Sequence, residues 1–500
     1  MYFINEHEIV LDKNEKLEPW VSYDRVVRYA MDFVKHCPVD EKVGLPWYLL
    51  YSCFWTDPLR PAIWPDNPAG KFAWAVTCLL KYYPFSGDSA HIDIVRSMLD
   101  RLIDHKVPAN FDWANAPYSS AHPGTGVYFG ARADGEYVTE PDKVAQVGRA
   151  LIDFYEISGE DKYFKAGVDC AKVLVSHLIH GDERQSPVPF RVDVRDGRVV
   201  EVYTSDMIQV VRLLDELVRL GLDEYKSARD QVTDWILKYP LINNTWKGYF
   251  EDIRLDPENN NKDQLSALET ARYLVQHPKL DTNWKTAVPG LIEWVRQTFG
   301  AHPLFSAISI HEQKFCYFVM GSHTARFASL CASWFEVSGD VEYREMAIRS
   351  LNWASYMANE NGTVTVGVDR PDYYNQCWFT DGYFDYVPHF IETMASIPAL
   401  APLDSDHMLR TTTPICEINY QPNHIDYKTF DQKGSQHLKL SFEPAQVICG
   451  GNELPSFSEP EQQIGWAFDK ESHLMTINHE HSNVIISGTP STMSVNSTGV

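Results

Sequence analysis

The chain has 500 residues, a formal net charge of −24 at pH 7, and 44% hydrophobic against 22% charged residues. That mix excludes wholesale disorder, and the acidic field excludes a nucleic-acid partner, which would need a basic face. No apolar run reaches the ~18 residues of a membrane span, so no membrane partner is expected either. The 14 Trp and 26 Tyr exceed what a core needs and suit a protein that stacks rings on sugar faces. The nine cysteines are scattered without a C-x-x-C pair, which fits reduced buried thiols rather than a disulfide framework or zinc ribbon. The start, MYFINEHEIVLDKNEK, has no basic stretch followed by an apolar run. The expected location is therefore the cytoplasm, with the periplasm or secretion following only if a leader has been removed.

The first helical stretch is Ser22–His36. A tryptophan-rich segment follows, with Trp47, Trp55, Trp64 and Trp74. It reads first as packing and second as one wall of a ligand bowl. Then a helix–turn–helix unit repeats. AQVGRALIDFYEISGEDKYFKAG, from Ala145, aligns without a gap on ARFASLCASWFEVSGDVEYREMA, from Ala325, at an offset of 180 residues. The alignment pairs Tyr155 with Phe335, Glu156 with Glu336, Gly159 with Gly339 and Tyr163 with Tyr343. Gly87 and Gly221 mark the same turn in weaker copies, and His277–Pro278 marks it in a fifth. Apolar residues at helical spacing (Val147, Leu151, Phe154, Tyr155) lead into a glycine placed to cap the helix in the left-handed region.

Five hairpins are thus predicted over 73–106, 145–180, 206–240, 263–300 and 323–358. Ser22–His36 and Gly382–Ser396 can pair as a sixth unit that closes a ring. The expected fold is mainly α, an (α/α)6 toroid over residues 1–403, preferred to an open solenoid of the same hairpins. Gly148, Ala150, Ala325 and Ala328 fit close packing of the inner helices. Past Asp404 the pattern changes to short alternating runs, HLKLSF, AQVICGG, HLMTINH and NVIISG, which predict a small antiparallel β domain over 404–500 with a frayed end at Ser491–Val500. His479 and His481 flank Glu480 there; an exposed strand is the preferred reading over a metal site, so no metal is expected.

Long links, 106–143, 181–205, 241–262, 301–322 and 359–380, all lead to the N-terminus of a predicted inner helix. They share one face, and long ordered loops commonly carry function. The first link holds Trp113, Arg132, Glu140, Asp142 and Lys143. Its GTGVYFG run lacks the spacing and the preceding strand of a dinucleotide site, so no cofactor is expected. Glu140 and Asp142 are candidates for general acid or base, with a helix cap as the plain alternative for Asp142. Asp206 reads as a cap or a further acid, and Glu251–Asp252 as acids beside Trp246, Tyr249 and Phe250. His323 and Arg326 share one side of a first helical turn. Two cationic groups at a positive helix end call for an anion, either a ligand or a neighbouring acid. The fifth link brings Trp378, Asp381, Tyr383, Asp385 and His389, with Trp378 and Tyr383 expected to line the cavity.

The Y-E-x-S-G-x-x-x-Y signature at Tyr155–Tyr163, matched at Phe335–Tyr343, together with the aromatic loops and β tail, resembles the six-hairpin glycosidase-like superfamily over roughly residues 20–400. The resemblance implies carbohydrate chemistry: glycoside hydrolysis, uronate elimination or sugar epimerisation. Hydrolysis needs a protonated acid and an ionised base or nucleophile. Glu140 or Asp142 with Asp381 is the expected catalytic pair. Trp113, Trp378 and Tyr383 would bind substrate, and Arg132, Lys143, His323 and Arg326 would hold a sugar carboxylate. The expected function is hydrolysis of a uronic-acid-containing oligosaccharide, glucuronidase-like. The alternatives are a lyase using Tyr383 or His323 as base, an epimerase using His323 and His389, and a non-catalytic glycan binder.

Overall fold

A computed structural model describes residues 2–50, 52–55, 61–63, 68–122, 124–128, 135–249, 261–301, 304–368, 376–459 and 463–490. Trp64, Arg132, Glu251, Asp252 and Ser491–Val500 lie outside the described residues. The protein is mainly helical, with small sheets. No described helix is long and apolar enough to cross a membrane.

The helices are α1 (Tyr23–Lys35), α2 (Pro68–Ser86), α3 (Ala90–Asp104), α4 (Pro141–Ser158), α5 (Asp161–Ser176), α6 (Ile208–Arg219), α7 (Lys226–Lys238), the single turn α8 (Pro240–Asn243), α9 (Leu265–Gln276), α10 (Trp284–Phe299), α11 (Gly321–Ser338), α12 (Val341–Ser355) and α13 (Val387–Ser396). The five predicted hairpins are α2–α3, α4–α5, α6–α7, α9–α10 and α11–α12. Two begin earlier than the apolar periodicity indicates, at Pro68 and Pro141. Proline suits the first helical position, where its fixed φ is helical and its missing N–H is not needed. The turns form as the glycines imply: Gly339 sits at φ 72° and its N–H donates to the Phe335 carbonyl at 2.8 Å.

The first helices α9 and α11 are buried on all sides over most of their length, whereas α10 is buried along one stripe and α12 becomes buried all round only from Arg349 to Ser355. In α9 burial is unbroken from Leu265 to Leu274, and in α11 from Gly321 to Ala332. In α10 it follows Val288, Leu291, Ile292, Val295 and Phe299, the single apolar face of a surface helix. Gly148 lets α4 approach α6: a Cβ there would meet Leu213 Cδ2 at 2.7 Å. Ion pairs join α4 to α6 (Arg149–Glu216, 3.0 Å) and α6 to α9 (Arg212–Glu269, 2.8 Å). The two ends of the helical stretch also meet. Tyr23 of α1 packs edge-on against Phe390 of α13 at 5.4 Å, and the Met31 carbonyl of α1 lies 3.1 Å from His91 Nε2 of α3.

Contacts divide the chain into two compact units. The first is 1–80, 90–155 and 160–393; the second is 81–89, 156–159 and 394–500. The second unit contains two five-stranded sheets. One orders its strands 407–411, 434–439, 474–479, 465–469, 456–457, and the other 415–421, 424–429, 483–490, 442–449, 452–453. Pairing is antiparallel except between Ser456–Phe457 and Gly465–Asp469, which run parallel. Alternate residues of His424–Thr429 are buried, so one face of that strand packs inward.

Candidate active site at the N-termini of the first hairpin helices

The entry to α4 is fixed by a short ribbon. Val138–Thr139 pairs with Arg191–Asp193, matching Thr139 to Val192. That register sets Arg191 beside Glu140: Arg191 Nε donates to Glu140 Oε1 at 3.0 Å and its NH1 reaches Glu201 Oε2 at 3.0 Å. Glu140 Oε2 lies 3.5 Å from Lys143 Nζ. The lysine also donates to Asp142 Oδ2 at 2.7 Å and to the Tyr249 carbonyl at 3.1 Å, and sits 3.8 Å over the Tyr249 ring. Glu140, Asp142 and Lys143 are therefore brought together, all buried.

Two further acids complete this cluster. Asp206, just before α6, accepts from the Gln146 and Gln209 side-chain amides, each at 3.2 Å. Its carboxylate thus ties α4 to α6. Asp263, just before α9, accepts the Ser266 N–H at 2.9 Å. Burial pushes the carboxyls of Asp142, Asp206 and Asp263 upward. Asp263 rises to about 6. Asp206 is pushed well above the ordinary range by its burial, to which the charges of Asp142 and Asp263 add and which Lys143 and the Gln209 amide oppose. Asp142 is restrained by its direct pair with Lys143.

The second cluster centres on Arg326 in the first turns of α11. Its guanidinium pairs with Glu269 of α9 and with Asp385, which lies just ahead of α13. These acids are the anions that the His323–Arg326 pattern requires. The guanidinium also packs 4.7 Å over the Trp74 ring. Glu269 further binds Arg212 at 2.8 Å and Arg272 at 3.4 Å. Burial alone would raise Glu269, but Arg326, Arg212 and Arg272 hold it well below the usual carboxylate range.

Asp385 also faces two histidines: His389 Nε2 at 3.5 Å and His323 Nδ1 at 3.9 Å. His389 Nδ1 lies 3.0 Å from Ser329 Oγ. Burial pushes both imidazoles down, His389 to about 3 and His323 well below its ordinary value, with Arg326 adding to each. Both rings are neutral at pH 7. Tyr249 adjoins both clusters, binding Lys143 through its carbonyl and interacting electrostatically with Arg326.

The remaining sequence candidates fall elsewhere. Trp113 is buried and stacks on His177 at 4.3 Å. Tyr383 is fully buried, stacked on Phe33 at 5.3 Å. Trp378 is half-buried against Phe318, Met320 and Val366. Asp381 is half-exposed on the π-helical turn Phe379–Phe384, an irregularity common at functional sites. Arg191, Asp263, Glu269 and Arg272 are residues that sequence reasoning missed. Glu269 and Arg272 had a signal: a charged i, i+3 pair inside LSALETARYLV, a helix otherwise made of small and apolar residues. Among the described residues, no group of three His, Cys, Asp or Glu is arranged to hold a metal ion.

No family model matches the chain, and no curated protein matches it in sequence. Solved structures do match in fold. A cellobiose 2-epimerase from Spirochaeta thermophila DSM 6192 has a TM-score of 0.56 at 11% identity, over 75% of this chain and 95% of that one. A sugar epimerase from a ruminal bacterium has a TM-score of 0.55 at 11% identity, over 74% of this chain and 98% of that one. A family 76 glycoside hydrolase from a bovine Bacteroides thetaiotaomicron strain has a TM-score of 0.50 at 12% identity, over 75% and 78%. The resemblance to the six-hairpin glycosidase-like superfamily holds at the level of fold.

Proposed function

We propose that the protein is a glycoside hydrolase acting on an oligosaccharide at the N-terminal ends of the inner helices. The helical part would be a closed (α/α)6 ring, with residues 1–403 as catalytic domain and 404–500 as an appended β domain. The contact of α1 with α13 and α3 supports the closure.

The carrying observation is the unequal surroundings of Asp142 and Asp206. Asp142 has Lys143 at 2.7 Å and ionises first. Asp206 accepts from two amides, which favour its ionised form, but burial and the charge of Asp142 oppose that form and raise its carboxyl, so it would be the proton-holding member of the pair. Two carboxyls driven apart in this way supply one acid and one base. Asp206 would protonate the leaving glycosidic oxygen. Asp142 would activate water or attack the anomeric carbon, with inversion or retention set by the carboxyl separation. Glu140, gripped by Arg191 and Lys143, would position that lysine. Asp381 is the half-exposed carboxylate proposed on the substrate side.

Asp206→Asn and Asp142→Asn should each slow oligosaccharide cleavage by at least ~100-fold while melting stays cooperative. Removing the Asp206 carboxyl should also abolish the alkaline limb of the rate profile. Water gain in the product, read by mass, marks the reaction. Near-wild-type rates in both variants would reject the assignment.

A second reading is favoured by the His323–Asp385–His389 arrangement and by the epimerase structures that share the fold. One neutral imidazole can take a proton from a sugar carbon next to an open-chain carbonyl and become an imidazolium, and the second ring, once it has drawn a proton from solvent, can deliver one to the opposite face. In that case deuterium from solvent enters the sugar with no change in chain length, and His389→Asn stops the exchange.

A further inference from the structure

We infer that the acid cluster recognises a sugar through its hydroxyl donors and discriminates against sugars bearing a carboxylate. The inference rests on the carbohydrate reading above and sets its substrate class.

Buried oxygen atoms around this cluster with no hydrogen-bond partner among the described residues include Asp142 Oδ1, Gln146 Oε1, Asp263 Oδ2, Gln264 Oε1 and the Ser266 hydroxyl. Each belongs to a residue no more than 7% exposed. Asp142 and Gln146 are one helical turn apart and share a face of α4. Gln146 donates its amide to Asp206, and Gln264 follows Asp263 at the head of α9. The four carboxylate and amide oxygens are acceptors and outnumber the one hydroxyl, which can donate or accept. A buried acceptor left unmet has lost its water without a replacement, so the fitting ligand brings donors. Sugar hydroxyls, or the ammonium of an amino sugar, do this. A sugar carboxylate brings none and adds like charge.

The cations expected to hold a uronate are engaged otherwise. Lys143 pairs with Asp142 and Glu140, and Arg326 with Glu269 and Asp385. Arg191 pairs with Glu140 and Glu201, and Arg272 with Glu269 and Glu392. A uronate would have to displace a buried carboxylate from one of them, stranding a charge. The net charge of −24 opposes its approach as well.

The test is calorimetric binding of disaccharide pairs that differ only at C6, CH2OH against COO−, in gluco, manno and galacto series. The neutral member of the preferred pair should bind at least about tenfold tighter, a factor equal to ~1.4 kcal/mol. Asp263→Asn, which removes one of the charges, should weaken neutral binding and narrow the ratio. Equal or tighter binding of the carboxylate member overturns the inference and leaves the hydrolase reading standing. Absence of binding by every pair overturns both.

Discussion

Burying Asp263 ahead of α9 lifts its carboxyl from an ordinary 3.8 to about 6, burial outweighing the Ser266 N–H and the charge of Lys143. Between those two values the folded protein holds a proton that the unfolded chain has released. Stability therefore falls as pH rises through that window, and above about pH 6 the penalty reaches its full size, about 3 kcal/mol. Asparagine keeps the shape and the acceptor for Ser266 without the charge. Asp263→Asn should thus stabilise the fold in urea melts at pH 8 and leave it nearly unchanged at pH 3.5; an equal shift at both would remove the argument. Glu269 has the opposite sign. Its charge is favoured by three arginines, so its contribution is present above the unfolded value and lost as pH falls through the depressed folded one. Glu269→Gln leaves Arg326 with Asp385 alone and should destabilise by about 3–5 kcal/mol at pH 7. Opposite signs for two buried acids six positions apart, one just ahead of α9 and one within it, are the distinguishing result.

Glycine serves the hairpins in two ways that one substitution separates. At Gly148 a new Cβ would meet Leu213 Cδ2 at 2.7 Å and Cys170 Cβ at 2.9 Å. Overpacking costs about 1–3 kcal/mol, against up to ~1 kcal/mol gained in helix propensity. At Gly339 nothing lies within 4 Å, and the cost of alanine arises from φ 72° alone. Gly148→Ala should lower the melting temperature, and Leu213→Ala should cost less in that background than in the wild type, so that the double variant loses less than the sum of the two single ones, whereas Gly339→Asn should be nearly neutral. A double variant that loses the full sum would show that α4 and α6 do not meet as described. The same contrast explains what could be read in advance. Hairpins were legible because a turn glycine and a helical stripe are local signals repeated along the chain. The ribbon of Val138–Thr139 with Arg191–Asp193 was not, since strands of two or three residues have no measurable period. Without it Arg191 could not be assigned to Glu140. The acids at helix heads were legible as a group, at Glu140, Asp142 and Asp206. Their division into a lysine-bound member and an amide-bound member depends on long-range neighbours. Tyr383 shows the limit for aromatics: its place in the last long link indicated a cavity, yet the ring packs on Phe33, more than 300 positions earlier in the chain.

At the scale of the molecule, the composition change past Asp404 marks where the sheets begin, but the compact unit containing them also includes 81–89 and 156–159. Inside that unit, Tyr420 Oη donates to the Pro84 carbonyl at 2.5 Å and the Ile418 N–H donates to Tyr83 Oη at 3.2 Å. His407 stacks on Phe85 at 4.0 Å. Tyr82, Tyr83 and Phe85 are at most 5% exposed. Deleting 404–500 would remove the cover that Ile418 and His407 give to Tyr83 and Phe85, and burial of each large side chain is worth about 1.5–3 kcal/mol. Contiguous apolar surface of this kind also promotes association. A chain ending at residue 403 should therefore melt well below the full-length protein and sediment as oligomers or aggregate. Replacing Tyr83 and Phe85 with polar residues in the truncated chain should recover solubility without restoring the melting temperature, since solubility depends on the exposed patch and stability on the lost packing. A truncated chain that stays monomeric with unchanged melting would mean that the sheets are an independent appendage and that these turn residues need no cover.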